Sequence, residues 1–216
     1  MESLQQPEKI NLEDSLLTTL SKEEGNGLVE YIRRVFDTDN NPDQASPSME
    51  QFMGIYDNID PYALLINKAP NGEIIGWSGI VPTSRELLRR FLSEEIHEND
   101  IIDIAVSEAK QAIRSGKQPS DEAAYFWASF MKPEHRGKGG MLEFKKAQFQ
   151  MLKDRHPTMK EFYGYAETKE GAHLLERYEE RFGIKIDKPQ YSIRPQDNPK
   201  SPEYLAQRQR PDELKS

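Results

Sequence analysis

Residues 131–141, MKPEHRGKGGM, hold the residue types in this chain that could most readily do chemistry. Gly137, Gly139 and Gly140 follow an aromatic run, AYFWASF, and precede a helical pattern of apolar residues. Amides in the first turn of a helix lack intrahelical partners, and the helix dipole adds partial positive charge there. Glycines let the backbone approach an anion closely. The turn therefore predicts a site for a phosphate-bearing ligand, with a glycine-rich connector as the alternative.

Two basic residues of the turn, Arg136 and Lys138, could add charge to this site. Two common phosphate-binding motifs are excluded by the spacing. A Walker loop needs a glycine where Lys132 stands and a serine or threonine where Gly139 stands. A dinucleotide fingerprint needs a third glycine that is absent at the required step.

The elements that must position this turn follow from the apolar periodicity and the turn residues. Asn-Gly between two apolar runs predicts a hairpin around residues 70–73. Gly183 follows an amphipathic helix in a capping position. The first half of the predicted order is a strand at 15–20, a helix that begins with the capping-box spacing of Ser21 and Glu24, a short helix from Ser48, the hairpin, and two helices at 84–97 and 100–115. The second half is a strand at 123–131, a helix at 139–154, a strand in EFYGYAET, the helix capped by Gly183 and a broken final strand. We expect a mixed α/β sheet, antiparallel early and parallel near the end.

Met131, Pro133, Arg136, Gly137 and Gly139 give the turn a resemblance to a known motif. It is similar to the acyl-CoA-binding motif of the GCN5-related N-acetyltransferase (GNAT) superfamily, which runs apolar-x-Pro-x-x-Arg/Gln-Gly-x-Gly-x-Gly/Ala. Met141 departs from the pattern, because the family prefers Gly or Ala there. The order of elements over residues 15–195 also resembles the family, except for residues 84–121.

The resemblance implies a splayed sheet that holds acetyl-CoA, as a co-substrate, between the family's fourth and fifth strands. The pantetheine would pair with the backbone of Ser129, Phe130 and Met131. The pyrophosphate would lie on the amides of the turn. The residues that the resemblance assigns to the pyrophosphate are Arg136, Gly137, Lys138, Gly139, Gly140 and Met141.

Acetyl transfer to an amine needs a base or water chain, donors for the thioester oxygen and an acid for the leaving thiolate. The family often places the acid on a tyrosine of the late helix, and Tyr178 is the candidate here, one residue out of the usual spacing to Gly183. No carboxylate lies between Ala123 and Met131, where some members carry their base. Glu122, with Asp121 beside it, is the substitute candidate, and solvated loop carboxylates are the alternative.

Composition limits the other possibilities. The chain has 216 residues, a formal net charge of −8 and no cysteine. Catalysis by a cysteine thiolate of the protein and disulfide bonds are therefore excluded. An acidic chain is also a poor partner for nucleic acids or anionic membranes. No run of apolar residues suggests a signal peptide or membrane span, so we expect a cytoplasmic protein. No set of His, Asp and Glu has metal-ligand spacing, so we expect no metal site.

Residues 84–121 predict a helical insertion into the resembling fold, attached to its core as an appendage. The stretch from Ser93 to Glu108 is acidic and contains no Lys or Arg. The default interpretation is that these acidic residues form a solvated helix face. A second possibility is an acidic wall near the acceptor site that favours a cationic amine. A third is a homodimer contact through the apolar residues Ile101, Ile102, Ile104 and Val106.

The whole sequence predicts a single domain at residues 13–196, with flexible segments at 1–12 and 197–216. The leading functional hypothesis is an acetyl-CoA-dependent N-acetyltransferase that acts on an amine of a small molecule, peptide or protein. A non-catalytic acyl-CoA-binding module or sensor is the first alternative. An interaction protein that binds another phosphate ligand at the turn is the second.

Overall fold

The computed structural model describes residues 10–12, 15–19, 24–30, 48–93, 95–96, 98–127, 129–136, 140–165 and 169–187. Several predictions fall outside these residues. They are the capping role of Ser21, the flexible tail at 197–216, the strand pattern beyond Asp187, and the placement of Gly137, Lys138 and Gly139.

Nine strands, six α-helices and two short 3₁₀ helices, Pro61–Ala63 and Pro133–His135, occupy the described residues. The strands are β1 (Ile10–Leu12), β2 (Ser15–Thr19), β3 (Leu64–Lys68), β4 (Ile74–Gly79), β5 (Val81–Thr83), β6 (Ala123–Phe126), β7 (Ser129–Met131), β8 (Glu161–Gly164) and β9 (Ile186–Asp187). The helices are α1 (24–30), α2 (Met49–Asn58), α3 (Arg85–Leu92), α4 (Glu98–Arg114), α5 (Gly140–Arg155) and α6 (Lys169–Phe182). None of the described helices is both long and apolar enough to cross a membrane.

The strands form two sheets, ordered β1-β2-β3-β4-β7 and β5-β6-β8-β9. All pairs in the first sheet are antiparallel, whereas β6–β8 and β8–β9 are parallel. The predicted mixed α/β fold, antiparallel early and parallel late, is therefore confirmed. Ile10–Leu12 corrects one expectation, because these residues pair with β2 instead of belonging to a flexible N-terminus.

Local chemistry explains the elements that the sequence predicted well. Gly72 adopts a φ of 85° in the β3–β4 turn, a conformation that glycine reaches without strain. Ser48 and Gln51 form a reciprocal capping box at the start of α2. Gly183, with φ 66°, ends α6, and the amides of Gly183 and Ile184 both donate to the Glu179 carbonyl.

Two hydrophobic cores lie on opposite faces of the strands. On β6, Tyr125 belongs to a core with α2, α3 and α4, and Phe126 belongs to a core with α5 and α6. Successive strand residues point to opposite faces, so this alternation defines the two sides. The helices thus cover both faces of the strands.

The helical hairpin α3–α4 belongs to the first core and is not an appendage. Leu87, Phe91, Ile101 and Ile102 are at most 2% exposed, and Val106 packs on Gly54 of α2. The proposal of a dimer contact through Ile101, Ile102 and Val106 is therefore wrong, because this face is covered within the chain. Ile104 is partly buried against the same core.

Candidate functional site

The predicted strand 123–131 is two strands that belong to different sheets. β6 pairs in parallel with β8 as far as Phe126 and Gly164. After Phe126 the chain turns, with the Trp127 amide donating to the Tyr125 carbonyl at 2.9 Å, and β7 then pairs with β4. A neighbouring break at Ile80 separates β4 from β5. The two breaks are adjacent, since Ser78 pairs with Ser129 and Val81 with Tyr125, and the sheet divides along this line.

β7 is an edge strand of its sheet. The Lys132 amide donates to the Ile75 carbonyl at 2.8 Å, on the β4 side. Antiparallel pairing alternates, so the backbone groups of Phe130 also face β4, and those of Ser129 and Met131 face away from it. The Met131 carbonyl accepts a hydrogen bond from Nε of Arg136 at 2.7 Å. The outward edge of β7 therefore offers backbone groups to a partner that enters the division between the sheets.

The glycine-rich turn leads from β7 to α5. A short 3₁₀ helix, Pro133–His135, leaves β7, and α5 begins at Gly140. Gly140 and Met141 are in the first turn of α5, where backbone amides have no intrahelical partner. Glu143, also in this turn, forms an ion pair with Arg181 of α6 at 2.7 Å. Along the chain, β7 is thus followed by the glycine-rich turn and then by a helix N-terminus.

Two buried polar side chains of α5 reach the line of division, and the sequence analysis missed both. Lys145 Nζ lies 2.7 Å from the Gly79 carbonyl, 3.0 Å from Ser129 Oγ and 3.4 Å from the Trp127 carbonyl. Gln148 donates to the carbonyls of Tyr62, Ala63 and Ser78 and accepts from Ser78 Oγ at 2.6 Å. The signal for them was available, because Lys145 and Gln148 interrupt the apolar face that Phe144, Phe149 and Leu152 define.

Lys145 supplies a donor to the carbonyls of Gly79 and Trp127, which lie beside the two strand breaks. Gln148 adds a donor to the Ala63 carbonyl, which also accepts the Ile80 amide. A buried carbonyl without a hydrogen bond costs free energy, and side chains commonly supply the missing donor. Lys145 and Gln148 are each 0% exposed. Burial lowers the pKa of Lys145 well below its ordinary value of 10.5.

Tyr178, the predicted acid, lies beside the same division on α6. Its ring is 6.0 Å from that of Phe126 and stacks on Phe182 at 5.3 Å. The side chain is 1% exposed, and its hydroxyl has no hydrogen bond of good geometry within the described residues. Burial raises the pKa of Tyr178 to about 12, although the Ser129 side chain approaches closely enough to offset part of the rise. The structure therefore brings Tyr178, Ser129 and Lys145 together.

Glu122, the predicted base, lies elsewhere. It precedes β6, it is exposed, and its carbonyl accepts the amides of Lys160 and Glu161. Four strand residues separate it from the division, which corresponds to roughly 13 Å along the strand. The structure does not bring Glu122 together with Tyr178, so its role as a base stays a prediction without geometric support.

Asp121 belongs to a polar network at the same end of β6. Its carboxylate contacts the Thr158 hydroxyl and Nδ1 of His156, the latter at 2.9 Å. Nε2 of His156 lies 3.1 Å from Asp60, whose carboxylate also accepts from Arg155 at 2.6 Å and from the Tyr62 amide at 2.7 Å. This network ties the end of α5 to the residues before β3 and β6.

Two further histidines, His135 and His173, lie in the described residues. His135 is half-buried in the 3₁₀ helix, and His173 is exposed on α6, 3.5 Å from Glu176. Within the described ranges, no three His, Asp or Glu side chains form a cluster that could hold a metal ion.

Comparisons with known proteins found solved structures that resemble part of this chain at low sequence identity. No protein-family model matches the sequence, and no curated protein matches it. Diaminobutyrate acetyltransferase EctA from Paenibacillus lautus, solved with L-2,4-diaminobutyric acid and coenzyme A, is 15% identical, with a TM-score of 0.33 over 65% of this chain. This chain spans 57% of the EctA chain. Arylalkylamine N-acetyltransferase 2 from Aedes aegypti is also 15% identical, with a TM-score of 0.43 over 76% of this chain and 81% of its own.

Proposed function

We propose that this chain is an acetyl-CoA-dependent N-acetyltransferase that acts on a primary amine by direct attack, with both substrates bound together. The observation that supports it most is the division of the sheet after Phe126, where an edge strand, β7, runs into a glycine-rich turn and a helix N-terminus. A pantetheine arm can pair with the outward edge of β7, and a pyrophosphate can accept hydrogen bonds from helix N-terminal amides.

The chemistry would occur where the sheets part. A neutral amine attacks the thioester carbon, the oxygen gains negative charge, and the thiolate leaves and takes a proton. The backbone amide of Ser129, which faces away from β4 next to the break, would donate to that oxygen. Tyr178 is the acid that the sequence predicts, and its hydroxyl stays protonated at neutral pH because burial raises its pKa to about 12.

A non-catalytic acyl-CoA-binding module is the second candidate. The observation that favours it is the lack of a carboxylate in residues 123–131, together with the distance of Glu122 from the division. Binding needs only the β7 edge and the turn, whereas transfer also needs a route for the amine proton. Water would have to provide that route in an enzyme without a base.

Ligand-dependent unfolding tests the proposed binding. At a concentration about 100 times Kd, a ligand stabilises the folded state by about 2.7 kcal/mol, or roughly 5–10 °C in Tm for a domain of this size. We expect acetyl-CoA and CoA to produce this shift, and ATP and NAD to produce none. Gly139→Val places a branched side chain in the motif and is expected to abolish the shift. Wild-type affinity in Gly139→Val would show that the site is assigned wrongly.

Thiol release separates the enzyme from the binding module. Acetyl-CoA is incubated with the protein and with spermidine, tryptamine, L-2,4-diaminobutyrate or a lysine-containing peptide. An N-acetyltransferase releases CoA in an amine-dependent manner and forms the acetylated amine. Tight binding of acetyl-CoA without release against any of these amines would favour the non-catalytic module.

A further inference from the structure

Lys145 is a buried amine in the division between the sheets, and no step above uses it. Nζ contacts three oxygens, those of Gly79, Trp127 and Ser129, at 2.7–3.4 Å. It also lies 5.5 Å from the ring centre of Phe126 and 5.9 Å from that of Tyr178. Of the described side chains in contact with Nζ, only Tyr178 can ionise, so no carboxylate neutralises the ammonium form there.

Nζ of Lys145 lies beside the part of β7 where the pantetheine arm of the proposed cofactor would end. The outward-facing backbone groups of Ser129 and Met131 are those that a pantetheine arm would pair with. An arm that runs along β7 from the turn toward the break passes Met131 first and reaches Ser129 last. Ser129 Oγ is held by Lys145 Nζ at 3.0 Å. The sulfur at the end of the arm would therefore arrive beside Nζ.

We propose that Lys145, in place of Tyr178, is the proton donor to the CoA thiolate. This inference rests on the proposed acetyltransferase function. The neutral amine attacks the thioester carbon, the C–N bond forms, and the C–S electron pair goes to sulfur. The ammonium of Lys145 gives up its longest contact, 3.4 Å to the Trp127 carbonyl, turns that N–H to the sulfur and transfers the proton. It becomes a neutral amine, which solvent protonates again. The excess proton of the attacking amine leaves to water.

Acid strength favours Lys145 over Tyr178. An efficient general acid has a pKa close to the working pH. Burial moves the two groups in opposite directions, because it lowers the pKa of Lys145 well below 10.5 and raises that of Tyr178 to about 12. Lys145 thus becomes the stronger acid of the two, and its hydrogen bonds to carbonyl and hydroxyl oxygens hold the proton-bearing nitrogen in place.

Binding of CoA and desulfo-CoA tests the inference without an amine substrate. Desulfo-CoA lacks the sulfur and is otherwise the same ligand. Near pH 8, wild type should bind CoA about threefold more tightly than desulfo-CoA, because lowering a thiol pKa of about 8.5 by one unit strengthens binding by that factor at this pH. Lys145→Met should remove the difference, and Lys146→Met, at an exposed position on the same helix, should keep it.

Kinetics supply the second measurement. With any amine that supports turnover, kcat of wild type should fall at high pH as Lys145 loses its proton. Lys145→Met should lower kcat at least tenfold and lose this alkaline limb, with the affinity for acetyl-CoA kept. Lys145→Arg should keep the preference for CoA, since its charge remains, but should not restore kcat, since arginine holds its proton.

The outcomes separate the inference from the function on which it rests. Absence of CoA and acetyl-CoA binding in wild type would overturn the proposed function, and the role of Lys145 with it. Normal binding and turnover, with the CoA preference and pH profile unchanged in Lys145→Met, would overturn the inference alone. If Lys145→Met does not fold, Lys145→Arg decides, because wild-type kcat in that variant contradicts proton donation.

Discussion

At the scale of single residues, the Tyr178 hydroxyl is a buried polar group without a well-formed hydrogen bond among the described residues. Leaving a buried polar group unpaired costs about 1–3 kcal/mol. Tyr178→Phe removes that group and keeps the ring contacts with Phe126 and Phe182. We therefore expect the free energy of unfolding in urea to be unchanged or to rise by up to about 2 kcal/mol.

Tyr163 provides the matched comparison. Its hydroxyl donates to Glu161 at 2.8 Å, so Tyr163→Phe removes a hydrogen bond that the fold does form. That variant should lose about 1 kcal/mol. A larger loss in Tyr178→Phe than in Tyr163→Phe would show that the Tyr178 hydroxyl does have a partner.

Measurement of kcat distinguishes the two candidate acids, Tyr178 and Lys145. If Lys145 protonates the thiolate, Tyr178→Phe changes kcat by less than about threefold, because no proton of Tyr178 moves. A fall of roughly two orders of magnitude or more, within the range of a general acid, would return the role to Tyr178. Both variants are measured with the same amine and at saturating acetyl-CoA.

At the scale of elements, the contact between α2 and α4 shows how closely the α3–α4 hairpin belongs to the core. A Cβ on Gly54 would stand 2.7 Å from a methyl group of Val106. Gly54→Ala should therefore lower the free energy of unfolding by about 1–3 kcal/mol, the usual cost of overpacking a core. Urea unfolding measures the change.

Gly27 is the control for that substitution. It is an exposed glycine in α1 with no heavy atom near the position of a new Cβ. Gly27→Ala should be neutral or should stabilise by up to about 1 kcal/mol, since alanine favours helices. A loss in Gly27→Ala equal to that in Gly54→Ala would contradict packing against Val106 as the cause.

Elements with local determinants could be predicted from the sequence, and those that depend on distant partners could not. The β3–β4 hairpin and the end of α6 follow from glycines that take a positive φ within the turn itself. The break between β6 and β7 depends on which strands pair with each half, and residues 123–131 read as one continuous apolar strand. The burial of α3 and α4 depends equally on the distant α2.

The same distinction applies to the candidate site. The glycine-rich motif predicted an anion site because amides and glycines act locally. Lys145 could not be assigned a role from its position in sequence, because the carbonyls that it contacts lie on β4 and beyond β6. Glu122 shows the converse, since nearness in sequence to the strand suggested a base, whereas the structure places this residue at the end of β6 away from the division.

At the scale of the whole molecule, the network of Asp60, His156 and Asp121 links stability to pH. Burial would lower the pKa of His156, but hydrogen bonds to Asp60 and Asp121 outweigh burial and raise it above 6.5. Burial would raise the pKa of Asp60, and hydrogen bonds from His156 and Arg155 outweigh that effect and lower it below 3.8. Each charge is thus held more firmly in the folded chain than in the unfolded one.

The two shifts have opposite consequences along the pH scale. The contribution of His156 is complete below pH 6.5 and is lost as the pH rises through its raised folded value. The contribution of Asp60 is complete above pH 3.8 and is lost as the pH falls through its lowered folded value. Lys145 has the opposite effect to His156 on stability at alkaline pH. Because its pKa is lowered in the folded chain, the unfolded chain binds more protons at Lys145 below pH 10.5, and its effect is to raise stability as the pH rises.

Comparison of wild type with His156→Gln isolates the histidine from Lys145, which both proteins retain. The difference in free energy of unfolding between the two should be largest near pH 5.5 and should shrink as the pH rises above 6.5, since only protonated His156 gains from both carboxylates. His173→Gln is the control, because His173 is 72% exposed and its substitution should change the free energy of unfolding by less than about 0.5 kcal/mol. Urea unfolding from pH 5 to 9 measures both. The opposite result would be a stability difference between wild type and His156→Gln that stays constant or grows with pH. It would mean that the network holds the neutral imidazole and joins α5 to β3 and β6 by hydrogen bonds without the added charge.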